Sequence, residues 1–305
     1  MSTMIRDLQT RANFVRRFAR HFIEERVRES RTPIQSALHT PQPLTWSDEH
    51  LTLAWLGHAT VLMNFYGTWL LTDPALRSRV GVHVGGLATF GPRRMVRPAL
   101  SIAEIPALDA VLVSHAHMDH CDLGTLRRLP RQIPVVTQRG VSDLLRRFQH
   151  VKELAWSEST EVNGAHIESV KVNHWGARTL TDSHRGYGGF LITKNNRAIL
   201  FGGDTAYTND FAALKHRAPQ IDLAILPIGA YDPYIHVHAN PEQAWQMRAE
   251  MNAKFILPIH HSTFQLSREP VREPVTRLLA AAGKERWRVA LTEPGQTWTL
   301  PEDDD

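Results

Sequence analysis

The sequence is poor in cysteine. Its 305 residues contain a single one, Cys121, which excludes an internal disulfide framework and a zinc site built from cysteines. Any bound metal must therefore be held by imidazole and carboxylate groups, and a reducing compartment is expected. Cys121 itself is interpreted as a small buried residue.

Long apolar runs are also absent from the sequence. No stretch approaches the roughly 18 apolar residues of a membrane-spanning helix, and no N-terminal segment combines a basic start, an apolar run and a small-residue cleavage site. We therefore expect a cytoplasmic protein. With 42% hydrophobic residues, the chain can bury a full core, so one main domain with a short extension at each end is predicted.

Basic residues are concentrated in the first 31 positions. This segment has eight arginines and four acidic residues, and eight minus four equals the net charge of +4 of the whole chain. Phe14, Phe18 and Phe22 recur at helical spacing, which predicts a basic amphipathic helix. Such a helix either docks on the body or on a partner subunit, for instance in a homodimer, or makes a peripheral contact with the anionic inner face of a membrane.

Changes in composition along the chain predict its domain boundaries. Residues 1–43 are assigned to the amphipathic helix and a proline-containing linker, residues 44–300 to the main domain, and residues 301–305 to an acidic tail.

Short apolar runs closed by turn residues begin at Leu51 and predict strands. They cover residues 51–55, 61–65, 69–72, 110–113, 134–137, 190–193, 198–201, 223–227 and 255–258. Lys194 to Arg197 is interpreted as a four-residue hairpin turn. Asn240, Pro241 and Gln243 form an N-terminal capping signal for a helix that runs to about residue 252. Strands mixed with helices, without strict alternation, predict sheets covered by helices.

Four metal-ligating side chains lie within six residues, directly after the apolar strand 110–113. They are His115, His117, Asp119 and His120. A buried imidazole or carboxylate without a partner costs roughly a few kcal/mol, so the four cannot all be core residues. At the end of a strand they can form two groups that face neighbouring points. The pattern predicts two adjacent metal ions.

Three further candidates also follow apolar segments: His174, Asp204 and His260. Each alone is more typical of a structural residue, but together with the first cluster they complete two coordination sets. Gly202 and Gly203 allow the backbone to pass close to the metals. The carboxylate of Asp204 is suited to bridge them.

At these residues the sequence resembles the metallo-β-lactamase superfamily, whose His-x-His-x-Asp-His motif is read at 115–120. Over roughly residues 50–270 it is similar to the branch that contains N-acylphosphatidylethanolamine-hydrolysing phospholipase D. The similarity rests on WLGHAT (55–60), LTDP (71–74), GPRR (91–94) with Pro98, SHAHMDH (114–120), HW (174–175), RTL (178–180), FGGDT (201–205), PIGAY (227–231), His238, NPE (240–242) and IH (259–260). The implied fold is an α/β (α+β) four-layer αββα sandwich.

The resemblance implies a ligand set for each metal. One set consists of His115, His117 and His174. The other consists of Asp119, His120 and His260, with Asp204 bridging the two. Two zinc ions are expected, although iron and manganese accept similar ligands.

Other residues are assigned to catalysis and to support of the ligands. Asp119, Asp204 and His238 are the candidate catalytic residues beside a hydroxide that bridges the metals. Support of the ligands or contact with substrate is assigned to His58, Asp73 and Tyr231. His58 and His238 are placed near the mouth of the pocket, and Asp73 is expected to orient a ligand. His261 stands where the family pattern suggests tryptophan, which alters the expected shape of the pocket.

The implied function is that of a binuclear metal-dependent hydrolase. A phospholipase D-type phosphodiesterase would act on N-acylphosphatidylethanolamine-like lipids and release phosphatidic acid and an alcohol. The alternative is a lactonase or phosphodiesterase for a small soluble, sugar-phosphate-like substrate. Nucleic acid is not expected as a partner, because the basic excess lies in one terminal helix rather than in a stripe around the site. A non-catalytic role is disfavoured, because all seven ligands are present.

Overall fold

The structure is a computed structural model that describes residues 29, 32–84, 88–179, 181–216 and 219–302. The chain divides into two compact units, Met1–Gln35 and Ser36–Asp305. The predicted amphipathic helix lies almost entirely outside the described residues, as do residues 303–305 of the predicted acidic tail, so both stay predictions. Among the described residues, no helix has the length and apolar character needed to cross a bilayer.

Seven strands form the first sheet, in the order β15-β1-β2-β3-β6-β7-β8. They are β1 (Leu51–Gly57), β2 (Thr60–Phe65), β3 (Thr68–Thr72), β6 (Ala110–Val113), β7 (Val135–Gln138), β8 (Val151–Leu154) and β15 (Thr297–Thr299). The short strands β4 (Val82–Val84) and β5 (Ala88–Phe90) pair separately.

Six strands form the second sheet, in the order β14-β13-β12-β11-β10-β9. They are β9 (Ser159–Val162), β10 (Ala165–Val170), β11 (Gly189–Lys194), β12 (Arg197–Phe201), β13 (Ile221–Pro227) and β14 (Phe255–Ile259).

The two sheets pack face to face around the main core. In β1, Leu51, Leu53 and Trp55 point into this core together with residues of the second sheet such as Phe190 and Phe201. The alternate residues of β1 point to the opposite face and join a second core. A strand with both faces buried reads as a continuous apolar run, which is why β1 was readily predicted from the sequence.

Helices and loops cover the outer faces of both sheets. The first sheet is covered by α1 (Leu123–Leu126) and neighbouring loops. The second is covered by α2 (Pro241–Glu250) and α3 (Glu273–Ala282). The resulting helix–sheet–sheet–helix order confirms the predicted four-layer αββα sandwich. Short 3-10 helices lie at Pro43–Thr45, Ile102–Glu104, Ser142–Leu144, Asn209–His216 and Gly283–Arg288.

Two local predictions can be compared with the structure. Helix α2 begins as predicted, because the Asn240 side chain accepts from Gln243 N while the Gln243 side chain accepts from Asn240 N. The predicted four-residue turn at 194–197 was wrong. Lys194 pairs with Arg197, and only Asn195 and Asn196 form the turn, both with positive φ (52° and 57°), as a two-residue hairpin of this kind requires.

Strand direction brings the ends of many strands to one edge of the sandwich. In the first sheet, β1, β3 and β6 run in the same direction. In the second sheet, β10, β12, β13 and β14 do so. Most of the residues predicted to bind or support the metals lie in the segments that follow these strands. Their positions at this edge explain how distant parts of the sequence meet.

Candidate metal centre

The loop after β6 carries the first group of ligands. His115 is buried, whereas His117 and Asp119 are partly exposed. The loop ends where Asp122 caps α1 by accepting hydrogen bonds from the backbone of Gly124 and Thr125. The cap fixes the point at which the chain leaves the loop, so that the intervening side chains turn inward together.

Asp204 lies at the middle of the centre. Its Oδ2 atom lies 3.1 Å from His120 Nε2 and 3.2 Å from His260 Nε2. The same oxygen lies 3.8 Å from His174 Nε2 and 4.0 Å from His115 Nε2. One carboxylate oxygen is thus shared by imidazoles of both predicted sets, as a bridging position requires.

The backbone passes closely beside Asp204. Gly203 has φ of 57°, and a Cβ atom there would come 2.7 Å from Cβ of Ser114. Glycine is therefore required here for close packing against Ser114, while the predicted approach of the backbone to the metals stays a prediction.

The side chains form overlapping groups that could hold a metal ion. One group consists of His115, His117, His174 and Asp204, and another of His58, Asp119, His120 and His260. A further group consists of Asp204, His238 and His260. The structure brings all seven predicted ligands together. His58 and His238 lie beside them.

The chemistry of these donors fits metal ions. Among the described residues, Nε2 of His115, Nε2 of His120, both ring nitrogens of His260 and Oδ1 of Asp204 are buried without a hydrogen-bond partner. Orphaned polar atoms of this kind are costly and need a partner. Imidazole nitrogens and carboxylate oxygens are the donors that zinc, iron and manganese share.

The pKa values of the candidate ligands also fit a metal site. Burial lowers the pKa of His174 to about 3, which leaves the ring neutral and its lone pair available. Burial also opposes protonation of His260, but the nearby carboxylates of Asp204 and Asp119 outweigh it and raise the pKa of His260 to about 9. The buried carboxylates therefore demand nearby positive charge, which either protons or metal ions can supply.

Asp73 lies behind the ligands, as predicted. Its Oδ2 accepts a hydrogen bond from His120 Nδ1 at 2.7 Å and one from Ser114 Oγ at 2.5 Å, and its Oδ1 accepts one from Ser114 N at 2.7 Å. Ser114 Oγ in turn lies 2.9 Å from His115 Nδ1. Asp73 thus contacts one ligand directly and a second through Ser114, a residue that the sequence did not single out although it precedes the motif.

His174 is oriented from the second sheet. Its Nδ1 lies 2.9 Å from the carbonyl oxygen of Val237, so Nδ1 carries the hydrogen and Nε2 faces Asp204. His238 follows Val237 and is 8% exposed, with Nδ1 3.8 Å from Asp204 Oδ2. Burial lowers the pKa of His238 to about 4.

His58 is placed differently from the prediction. The sequence put it near the mouth of the pocket, but its side chain is 1% exposed and its Nε2 lies 2.9 Å from Asp119 Oδ2. The reason is the tight turn between β1 and β2, which directs the ring inward along the edge of the sheet. His238, also predicted near the mouth, is likewise buried beside Asp204.

Tyr231 and His261 also face inward. The Tyr231 hydroxyl donates to Glu273 Oε1 at 2.7 Å, which ties the residue to α3, and a role beside the metals stays a prediction. His261 is 3% exposed, and its ring lies 4.5 Å from the ring of Trp55. Cys121 is buried, as predicted.

Five residues at this edge hold an uncommon backbone conformation. Residues other than glycine with positive φ include His58 (57°), Asp73 (33°), Ala230 (63°), His260 (64°) and Ser262 (51°). Such conformations are uncommon for side chains of this size and cluster at functional sites.

Trp175 borders the exposed side of the centre. Its ring lies 4.8 Å from the ring of His117 and 4.5 Å from that of His174, yet the residue is 41% exposed. Because His117 and Asp119 are the partly exposed ligands, the centre opens to solvent beside Trp175. Nearby, Arg178 Nη1 donates to the carbonyl oxygens of Ala116 and Cys121 and so braces the ligand loop.

A family model described as a β-lactamase superfamily domain matches residues 68–261. The chain belongs to the metallo-β-lactamase superfamily. It is accordingly a metal-dependent hydrolase of that superfamily, with candidate metal-binding histidine and aspartate clusters.

Members of the superfamily that resemble this chain include both uncharacterised proteins and named enzymes. A protein of Mycobacterium bovis is 33% identical over 277 residues, which cover 88% of this chain and 73% of that protein. The mitochondrial N-acyl-phosphatidylethanolamine-hydrolyzing phospholipase D of Saccharomyces cerevisiae is 34% identical over 80% of this chain. The match covers 54% of the yeast protein, so this chain corresponds to about half of it. The predicted resemblance to that branch is confirmed.

A solved structure has a similar fold. The isothiocyanate hydrolase from Delia radicum gut bacteria has a TM-score of 0.65 at 19% sequence identity, and the match covers 81% of this chain and 98% of that chain. The likeness supports the predicted architecture.

Proposed function

We propose that this chain is a binuclear zinc phosphodiesterase of the phospholipase D type whose substrate is an N-acylphosphatidylethanolamine-like lipid. The observation that carries the binuclear proposal is the position of Asp204 Oδ2 within 4.0 Å of imidazole nitrogens from both predicted sets. In this proposal the first ion is held by His115, His117 and His174. The second is held by Asp119, His120 and His260, and Asp204 serves both.

Two such ions would lower the pKa of water toward neutrality and stabilise the charge that develops on phosphoryl oxygen. The chain's own residues then orient and bind. Asp73 fixes His120 through its 2.7 Å hydrogen bond, and the Val237 carbonyl fixes the tautomer of His174. His238 is neutral at pH 7 given its lowered pKa of about 4. It is therefore assigned to donate a hydrogen bond to a phosphate oxygen rather than to transfer a proton as imidazolium.

The lipid part of the proposal rests on similarity and on the opening of the centre. The yeast relative carries the name of an N-acyl-phosphatidylethanolamine-hydrolyzing phospholipase D. The exposed ring of Trp175 beside His117 offers an apolar surface at the opening, and aromatic rings there favour substrates with an apolar portion. The products would be phosphatidic acid and an N-acylethanolamine.

Turnover of defined substrates tests the reaction. The zinc-loaded protein (residues 1–305) is incubated with vesicles containing N-acylphosphatidylethanolamine, with bis(p-nitrophenyl) phosphate, and with a panel of sugar-phosphate lactones, and products are read by mass spectrometry. Lipid cleavage should give phosphatidic acid, and both chelation and Asp204→Asn should abolish it. Preference for the lactones would assign the soluble-substrate alternative instead. Lipid cleavage that persists after verified removal of metal would overturn the proposal.

Peripheral membrane contact through residues 1–31, with a cytoplasmic location on the inner membrane face, belongs to the same proposal. The excess of arginine in this segment would contribute roughly 1 kcal/mol per basic residue near an anionic surface. Deleting residues 1–31 should then reduce vesicle binding and lipid turnover but spare hydrolysis of bis(p-nitrophenyl) phosphate, and high salt should act similarly. Equal losses on both substrates would show that the segment supports the fold.

A further inference from the structure

His58 has a backbone that is fixed from several sides. Its N–H donates to Thr263 Oγ1 at 2.7 Å. Its carbonyl oxygen accepts from Trp55 Nε1 at 2.8 Å and from the backbone N–H of His260 at 3.0 Å. With φ of 57°, the residue holds an uncommon conformation that these three hydrogen bonds maintain. One of the three reaches a predicted ligand, His260, directly.

The side chain of His58 reaches a second predicted ligand. Its Nε2 lies 2.9 Å from Asp119 Oδ2, and because a carboxylate only accepts hydrogen bonds, Nε2 must carry the hydrogen. The ring is held by neighbours on both sides. Its centroid lies 4.2 Å from that of His260, and it meets Phe264 edge-on at 5.1 Å.

Phe264 is itself supported from behind. The guanidinium carbon of Arg94 lies 5.1 Å from the centroid of the Phe264 ring. Arg94 is 2% exposed and donates to the carbonyl oxygens of Ala75 and Val96. The layer behind His58 is therefore packed and hydrogen-bonded, which leaves the imidazole little freedom to turn away from Asp119.

We propose that His58 is a positioning residue for the ligand set Asp119, His120 and His260. Its carbonyl oxygen holds the backbone of His260, and its Nε2–H holds Oδ2 of Asp119. Asp119 Oδ2 lies 3.5 Å from His260 Nε2 and 3.6 Å from His120 Nε2, so the hydrogen bond from His58 sets where this carboxylate stands relative to the other two donors. The inference rests on the metal-binding role proposed for this set.

Two substitutions separate the hydrogen bond from the backbone conformation. Asparagine tolerates the left-handed conformation, but its amide is too short to reach Asp119. Glutamine places an N–H about as far from Cα as the Nε2 of histidine. His58→Asn should therefore weaken one of the two zinc sites by about 10- to 100-fold, whereas His58→Gln should restore most of the affinity. The other site should keep its affinity in both variants.

Zinc affinity is measured on the full chain by competition with a chromophoric chelator, and the sites are told apart by the absorption spectrum of the cobalt-substituted protein. His58→Asn with unchanged affinity at both sites would overturn the proposal. Equal losses in the Asn and Gln variants would also overturn it, because then the imidazole itself, rather than its hydrogen bond, is needed.

A measurement on the unmodified protein covers the case in which a variant fails to fold. Nitrogen-15 NMR of the histidine-labelled, zinc-loaded chain should show His58 with a hydrogen on Nε2 and none on Nδ1. An Nε2 without hydrogen would refute the proposed bond. No substrate enters these experiments, so their failure is distinguishable from failure of the proposed phosphodiesterase activity.

Discussion

Replacing Asp73 by asparagine should weaken metal binding more than it weakens the fold. Asp73 is 0% exposed and accepts three hydrogen bonds, two from Ser114 and one from His120. Asparagine has one oxygen, so its NH2 group must face one of these donors. If the oxygen keeps Ser114 N, the amide hydrogens meet His120 Nδ1–H, and the ring must turn or change tautomer.

The magnitude follows from what His120 loses. After a change of tautomer, Nε2 carries the hydrogen and is no longer available to a metal. Removing such an orienting carboxylate typically reduces metal affinity about 10- to 100-fold, which corresponds to about 1.4–2.7 kcal/mol. The ligand set containing His120 should lose more metal affinity than the set containing His115, because His115 contacts Asp73 only through Ser114.

Chelator competition measures the loss of metal affinity, and thermal unfolding measures the loss of stability. Asp222→Asn is the matched control. Asp222 is 1% exposed and accepts from Ala198 N at 3.0 Å and Arg197 Nη1 at 3.1 Å, near the start of β13 and away from the ligand edge. Its substitution should lower the unfolding temperature and leave zinc affinity unchanged. An Asp73→Asn protein with wild-type affinity at both sites would refute the reasoning.

Three further predictions concern Trp175 at the opening of the candidate metal centre, the thiol of Cys121, and stability at acid pH. Trp175→Ala should raise KM for lipid about 10-fold by removing an aromatic contact. Trp156 is similarly exposed, at 40%, and Trp156→Ala should leave KM unchanged. Equal effects of the two substitutions on KM would contradict a role of Trp175 in substrate binding. Burial raises the pKa of Cys121 to about 12, so iodoacetamide at pH 8 should label it only in denaturant, and rapid native labelling would contradict its burial. Burial opposes ionisation of Asp182, but the hydrogen bond from Arg185 holds the Asp182 pKa below its usual range. The Asp182→Asn protein should therefore be less stable than wild type at pH 7. Urea unfolding should show this difference in stability shrinking as the pH falls below about 4.

The sequence predicted the residues that form local patterns. His115 to His120 stand within six residues behind an apolar strand, so their common direction could be recognised without knowledge of the fold. Asp73 was predicted as a supporting residue because it ends a strand before a proline. Strands such as β1 and β13, with every residue buried, appeared as apolar runs.

Other features depend on tertiary contacts that leave little local signal. Strand β9 has alternating exposed and intermediate residues, and its sequence Ser-Thr-Glu-Val contains no apolar run. The burial of His58 arises from Thr263 and Asp119, 205 and 61 residues away in sequence. Ser114 could have been noticed as the residue before the motif, but its two partners, Asp73 and His115, are set by the meeting of β3 and β6.

The architecture separates metal binding from substrate choice. Candidate ligands such as His115, Asp204 and His260 lie within three residues of strand ends that are packed in the buried core, so their geometry is expected to persist while loops vary. The opening is formed by loop residues such as Trp175, which no strand fixes. Changes in these loops can alter the substrate without disturbing the metals. A fold shared by proteins named for phospholipid and for isothiocyanate hydrolysis is consistent with this division, and we therefore expect the determinants of this chain's own substrate to lie in its loops.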